Sequence, residues 1–548
     1  MDPDRCDASP LPASVVDRLA RLAPDQRAAA TASSGPALCI APAGSGKTTT
    51  LVARAAWLVA TGVPAETIRA ITFNKRAATE LTERLDVAMQ PLGVGSGAVK
   101  VRTFHALGRE ILRDAGVAVE PLADRAAILK TAAPWADEAA LAQLDTFISR
   151  LKVGLGVTAQ AVGLDTEAGP FARAFVAYEA AVQASGGLDF DDLILRAVAT
   201  LEQRPALLAH WRERCGELLV DEVQDVDQAQ LRLALLLAAP LNRIFLVGDD
   251  DQSIYGWRLA DVRRILGLAE RLPDLHRVDL EVNYRCPRPV VERAVRLVEH
   301  NRERFAKRIR AGPAAEGRLI LAHDAADETV RLARAVRTWP TDDSTRAILA
   351  RTNRELLPAV AVALDLGLPF RAPKIDLPLE SETVDRLLGL AAADSRPGEP
   401  LLVLLGRVRS LLIDPAEFEI AAAILAWAAG HRSLARLRAA IDRARERLAT
   451  LRRDDALLTL ATAHATKGLE FDHVIVIGME AGRFPSGRAV AQADDPVRAY
   501  EEERRLAYVA WTRARRSLTL LYDPTTPSPF LLEAFTPAEL GLDGTMGT

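Results

Sequence analysis

Short apolar runs alternate along this chain with longer segments whose apolar positions recur at helical spacing. Leu38-Cys39-Ile40 precedes a Gly-containing turn and then Thr49 to Ala60, which has the period of a helix. Leu218-Leu219-Val220 ends abruptly in two acids, and Ala347-Ile348-Leu349-Ala350 and Leu457-Leu458-Thr459-Leu460 repeat the strand signal later. Strand runs alternating with helical segments predict an α/β fold built on parallel sheets. The alternation is interrupted twice, which divides the chain into two lobes, each carrying a mainly helical insertion. The first lobe is expected at residues 1–112 and 188–280, with the Ala/Leu-rich insertion 113–187 between its parts. The second is expected at 281–371 and 455–548, interrupted by 372–454. The end of that second insertion, His431 to Arg453, mixes many arginines with Leu and Ala, the pattern of a solvated helix with one buried face.

Composition narrows the class. A chain of 548 residues, 49% hydrophobic and 26% charged, has the material for about three or four domains. No apolar run reaches the ~18 residues of a membrane span, and the acidic, Pro-containing N-terminus is unlike a signal peptide. The four cysteines, Cys6, Cys39, Cys215 and Cys286, are too dispersed to suggest a disulfide framework or a metal cluster. A cytoplasmic protein without a membrane partner is expected. The formal net charge of −4 gives no global attraction to nucleic acid, so any such surface has to be a local groove.

Two motifs carry chemistry. Ala41-Pro42-Ala43-Gly44-Ser45-Gly46-Lys47-Thr48 lies between a strand and a helix. Its close glycines let the backbone N–H groups of Ala43 to Thr49 turn toward a triphosphate; Lys47 offers a point charge and Thr48 a hydroxyl for Mg²⁺. Ala41 stands where the first glycine of such loops is usual. The second motif, Asp221-Glu222, follows a strand, where an open parallel sheet delivers catalytic groups. Asp221 suits a Mg²⁺-binding role and Glu222 the polarisation of an attacking water. Together these motifs predict an ATPase.

An ordered series of further motifs resembles that of the UvrD/PcrA/Rep-like helicases of superfamily 1 and covers nearly the whole chain. Leu22-Ala23-Pro24-Asp25-Gln26 is similar to the adenine-reading motif, Ile71 to Ala78 to a strand-gripping motif containing Phe73, and Thr103-Phe104-His105 to the next one. Leu188 to Leu193 resembles the segment leading into the acidic motif. Phe245 to Ala260 includes Gly248-Asp249-Asp250-Asp251-Gln252 and then Tyr255 and Trp257. Asn283-Tyr284-Arg285, Thr462 to Phe471 and Glu501 to Arg515 resemble the motifs of the second lobe, with Trp511 where a small aliphatic residue is commoner.

The resemblance implies two RecA-like lobes, with ATP and Mg²⁺ as cofactors. It assigns Gln26, Tyr284 and Glu470 to the nucleotide, and Gln252, Arg285 and the arginine finger Arg513 to the γ-phosphate. Phe73, Thr103, His105, Tyr255, Trp257 and His464 are assigned to DNA. The activity implied is ATP-driven translocation on single-stranded DNA with 3′ to 5′ polarity, separating tailed duplexes in repair, recombination or defence. The short 372–454 insertion motivates an alternative: a DNA-sensing ATPase subunit that works with a partner nuclease, as in anti-phage systems.

Overall fold

The computed structural model describes residues 11–163, 169–323, 327–373, 375, 377, 380–396, 398–412, 417, 420–421, 424–425, 428 and 431–542. The chain divides into two compact units: one extends to Arg285 and includes Val298–Ala315, and the other comprises Cys286–Leu297 and the chain from Glu316 onward.

The first unit is built on six parallel strands: β1 (Ala37–Ile40), β2 (Ile68–Thr72), β3 (Lys100–Thr103), β4 (Glu217–Val220), β5 (Ile244–Gly248) and β6 (His276–Asp279). Their order across the sheet is β3-β2-β4-β5-β1-β6. The central strands read as unbroken apolar runs because both faces are covered. Leu38 and Ile40 pack with Leu218, Val220 and Leu246 on one side, while Cys39 packs with Leu219, Phe245 and Val247 on the other. The register sets Ile40 beside Gly248 and Val220 beside Leu246, so β1, β5 and β4 end at the same edge. Ladder bonds continue one residue past the strands, from Ala41 N to Gly248 O and from Asp221 N to Ile71 O, both 2.8 Å.

The expectation that the second lobe begins near Glu281 differs from what is found. Glu281 N donates to Asp25 Oδ2 at 2.9 Å, and Tyr284 N donates to Gly44 O at 2.9 Å, tying this segment to the first unit. After supplying Cys286–Leu297 to the second unit, the chain returns; β7 (Val282–Asn283) pairs in parallel with β8 (Arg310–Ala311).

Within 113–187, helices Arg125–Ala132, Glu138–Ser149 and Pro170–Ala184 enclose a small core that includes Leu129, Leu144, Ile148, Phe175 and Tyr178. A buried ion network joins it to the Leu188–Leu193 segment: Lys152 Nζ lies 2.8 Å from Asp189 and 3.1 Å from Asp192, and Arg125 lies 2.7 Å from Asp191.

The second unit repeats the plan with β9 (Arg318–His323), β10 (Arg346–Ala350), β11 (Phe370–Arg371), β12 (Leu458–Thr462), β13 (Phe471–Val476) and β14 (Ala514–Tyr522). All are parallel, in the order β11-β12-β10-β13-β14-β9. In 372–454, helices Glu382–Ala393, Leu401–Arg409 and Leu434–Leu451 share a core of their own, including Leu387, Leu404, Leu405, Leu437 and Ile441. The arginine-rich run is the last of these helices; it buries Leu437, Ile441 and Leu448, and its Arg445 pairs outward with Asp385 at 2.8 Å.

Cys39, Cys215 and Cys286 are buried and in no disulfide among the described residues; Cys6 lies outside them. Among the described residues no helix is long and apolar enough to cross a membrane.

Candidate active site

The loop between β1 and the helix Lys47–Ala60 places Gly44 and Gly46 at φ +70° and +85°. This left-handed backbone turns successive N–H groups to one side and makes an anion-binding concavity at a helix N-terminus. The cradle has no room for side chains: a Cβ on Gly44 would meet Arg285 Cβ and Asn283 Oδ1 at 2.7 Å, and one on Gly46 would meet Gln26 Nε2 at 2.6 Å. Two buried polar atoms, Ser45 Oγ and Lys47 Nζ, have no hydrogen-bond acceptor among the described residues. Lys47 has an ion pair with Glu222, at 3.6 Å. A buried ammonium so poorly matched is costly unless a ligand supplies oxygens, so these residues fit a polyphosphate.

Asp221 and Glu222 leave the end of β4 beside this loop. Burial and the adjacent Glu222 push the Asp221 carboxyl up to about 7, against the opposing pull of Lys47. A carboxylate held this way is suited to a cation that would restore its charge. Thr48, at the start of the helix, is the hydroxyl companion expected for the same ion. Glu222 sits at φ +54°, a strained backbone for a residue with a Cβ, of the kind functional sites retain. Its carboxylate also accepts from Gln224 Nε2, and Gln224 Oε1 accepts from Asp249 N at 2.9 Å. Gln252 Nε2 donates to Asp249 Oδ2 at 2.7 Å. Glu222, Gln224, Asp249 and Gln252 therefore form one continuous hydrogen-bonded row, in which Gln224 has a part that the sequence motif does not assign to it.

Gln26 is buried and committed locally: Nε2 donates to Ser45 O at 2.7 Å, and Oε1 accepts from Ala23 N at 3.1 Å. It thus braces the phosphate loop. Tyr284 is exposed beside it, and Arg285 N donates to Asn283 Oδ1 at 2.8 Å.

A row of aromatic side chains lies near the Gln252 segment. Phe73 stacks on Tyr255 with ring centres 5.3 Å apart and planes at 10°. Tyr255 meets Trp257 edge-on at 6.2 Å, and Trp257 is 54% exposed. Arg258, not singled out in the sequence, lies over Trp257 at 4.6 Å. A second stack joins His105 to Phe190 at 3.8 Å, and Phe190 is 52% exposed. The only sequence signal for Phe190 was an aromatic among acids. Burial holds His105 to about 4, hence neutral near pH 7. Thr103 Oγ1 accepts from Ala106 N at 3.2 Å and caps the helix Phe104–Asp114.

In the second unit, Arg513 is buried. Its Nε donates to Val509 O at 2.8 Å and its Nη1 to Leu469 O at 3.0 Å. Glu470 pairs with Arg515. His464 is held near 3 by burial and by the positive charges of Arg351 and Lys467. Trp511 is fully buried and meets Phe535 at 6.2 Å, so the large residue at this motif position serves the core.

Comparison with known proteins agrees with this layout. Residues 22–273 match the UvrD/REP helicase N-terminal domain, and residues 434–524 match the UvrD-like helicase C-terminal domain. The chain is 28% identical to DNA helicase II of Escherichia coli, over 91% of this chain and 84% of that protein. To the ATP-dependent DNA helicase Rep of the same organism it is 28% identical over 94% of both. To the ATP-dependent DNA helicase UvrD2 of Mycobacterium bovis it is 31% identical, over 92% of this chain and 78% of the relative. With the phosphate loop, the acidic pair and the two parallel sheets already in place, these matches make the chain a member of the UvrD/Rep family of ATP-dependent DNA helicases.

Proposed function

We propose that this helicase is a DNA-stimulated ATPase that moves 3′ to 5′ on single-stranded DNA and separates tailed duplexes. The observation that carries the reading is the Gln252 segment. Its amide is hydrogen-bonded into the row that reaches Glu222, and three residues further on Tyr255 begins the aromatic row. A change at the phosphate end therefore has a short covalent route to the surface on which bases would stack.

In this reading Lys47 and the backbone of Ala43 to Thr49 bind the phosphates, Tyr284 frames the base, Gln26 acts through the loop it braces, and Glu470 contacts the nucleotide. Thr48 and Asp221 would hold Mg²⁺, which would supply charge neutralisation at the phosphates. Glu222 takes the proton of the attacking water, with Gln224 and Lys47 fixing its carboxylate. Gln252, Arg285 and Arg513 meet the charge that spreads over the γ-phosphoryl oxygens, a task suited to a guanidinium fork. Phe73, Tyr255, Trp257, His105 and His464 grip the strand; Thr103 acts through the helix it caps. Phe190 and Arg258 join the grip on the strength of their exposure and stacking.

A second reading makes the chain the DNA-sensing ATPase of a helicase–nuclease pair with weak unwinding of its own. The small helical core in 372–454 supports it. ATP turnover measured with and without single-stranded DNA, beside strand displacement, tests both. DNA-stimulated turnover with displacement supports the first reading, and stimulation without displacement supports the second.

A further inference from the structure

Three consecutive aspartates, Asp249, Asp250 and Asp251, follow β5, and all three are fully buried. Burying three carboxylates side by side requires compensating cations, and these come from the segment that returns to the first unit, Val298–Ala315. Lys307 Nζ is itself fully buried. It lies 2.9 Å from Asp249 Oδ1, in close contact with Asp250 Oδ1, and 2.9 Å from Asp251 Oδ2. Arg304 forks onto Asp251 with Nε at 3.0 Å and Nη2 at 2.9 Å, and Phe305 N donates to Asp250 Oδ2 at 2.8 Å. The mutual attraction holds Lys307 charged, above its ordinary range, and holds Asp251 at about 2.

Asp249 is the member that reaches the reaction. One carboxylate oxygen takes the lysine ammonium together with the Asp251 backbone N–H at 3.2 Å, and the other takes the Gln252 amide, while its own backbone N–H binds Gln224, which in turn holds Glu222. Without the ammonium the first oxygen would keep only the longer, neutral bond from Asp251 N–H; the charge-assisted bond is the stronger of the two and holds the carboxylate plane against rotation. We propose that Lys307, supported by Arg304, is a positioning residue for γ-phosphate recognition, holding Asp249 so that Gln252, and through Gln224 also Glu222, keep their orientation. The proposal rests on the reading of Gln252 given above. A lysine inside a basic stretch would ordinarily be solvated, and its complete burial against the row that ends at Glu222 is what separates it from its neighbours.

The test uses the full chain carrying Lys307→Met, and Lys307→Met combined with Asp250→Asn. The double variant keeps the charge balance of the cluster, since three carboxylates against two cations become two against one, and the amide oxygen introduced by Asp250→Asn remains an acceptor for Phe305 N. It carries the test if the single variant does not fold. Circular dichroism establishes folding; fluorescent ADP binding, binding of a non-hydrolysable ATP analogue, and DNA-stimulated kcat are then compared with wild type. The expected result is near-normal ADP affinity, lost preference for the ATP analogue over ADP, and kcat lower by about 10- to 100-fold. A folded double variant that keeps wild-type kcat and wild-type ATP-over-ADP preference overturns the proposal. Gln252→Ala, measured alongside, separates the two levels. If it too leaves kcat and preference intact, the reading of Gln252 fails; if it abolishes them while the lysine variants do not, only the positioning role fails.

Discussion

Lys47 and Glu222 form an ion pair at 3.6 Å, too long for a hydrogen bond, and the glutamate carboxylate also accepts from Gln224. In the proposed mechanism the lysine binds and the glutamate acts as base. Glu222→Gln should therefore retain ATP and DNA binding, because the amide fits the same space and can still meet Gln224, while turnover collapses. Steady-state ATPase within about tenfold of wild type would refute the assignment of the base. Asp221 supplies a second test through pH. Its folded-state value of about 7 lies above the ordinary 3.8. Its contribution to stability is thus fully present at low pH and is lost as pH rises through about 7. Binding a cation requires the opposite form, so the proton must leave as Mg²⁺ enters. The Mg²⁺ concentration giving half-maximal turnover should be about tenfold higher at pH 6 than at pH 8. An unchanged requirement would show that Asp221 is not the metal's carboxylate. The histidines behave differently: His105 near 4 and His464 near 3 stay neutral across this range, so neither should make DNA affinity pH-dependent.

At the level of elements, Phe73 after β2 and Tyr255 after β5 form a stacked pair although they are remote in sequence. Each presents an apolar ring against which a base can lie. Phe73→Ala and Tyr255→Ala should each weaken single-stranded DNA binding by about 1–3 kcal/mol. The double variant should cost less than the sum, because removing either ring already disturbs the other. Fluorescence anisotropy with a labelled oligonucleotide measures both terms; additive losses would mean that the rings contact DNA independently. This pairing also shows the reach of the sequence. The ends of β1 and β4 were readable because fully buried parallel strands are continuous apolar runs that stop where chemistry begins. The phosphate loop was readable because its constraint is local backbone geometry. The partnership of Phe73 with Tyr255, the exposure of Phe190 and the burial of Lys307 were not, since each depends on segments distant along the chain. The start of the second lobe shows the same dependence on distant segments: β7 belongs with the first unit through its partner β8 and the neighbouring bond from Tyr284 N to Gly44 O.

For the whole molecule, the net charge of −4 means that DNA binding cannot rest on bulk attraction. Stacking and a limited set of phosphate contacts have to supply it, so the salt dependence of binding should be shallow relative to that of a basic protein. Movement along DNA then requires that ATP turnover alternate the grip. Whether this separates duplex depends on what meets the junction. The 372–454 insertion offers a small helical core whose last helix engages an acidic neighbour through Arg445, as does Arg452 just beyond the helix. Strand displacement on a duplex with a 3′ single-stranded tail, beside a 5′-tailed duplex and a Lys47→Ala variant, resolves the question. Displacement confined to the 3′ tail and lost in Lys47→Ala is the expected result. The variant should fail because Lys47→Ala removes the point charge on the β/γ-phosphates, together with the ion pair to Glu222 and the positive charge that acts on Asp221. Equal displacement from both tails would refute the polarity. Strong DNA-stimulated turnover without displacement would assign the chain to the coupled ATPase reading, in which a partner nuclease completes the reaction.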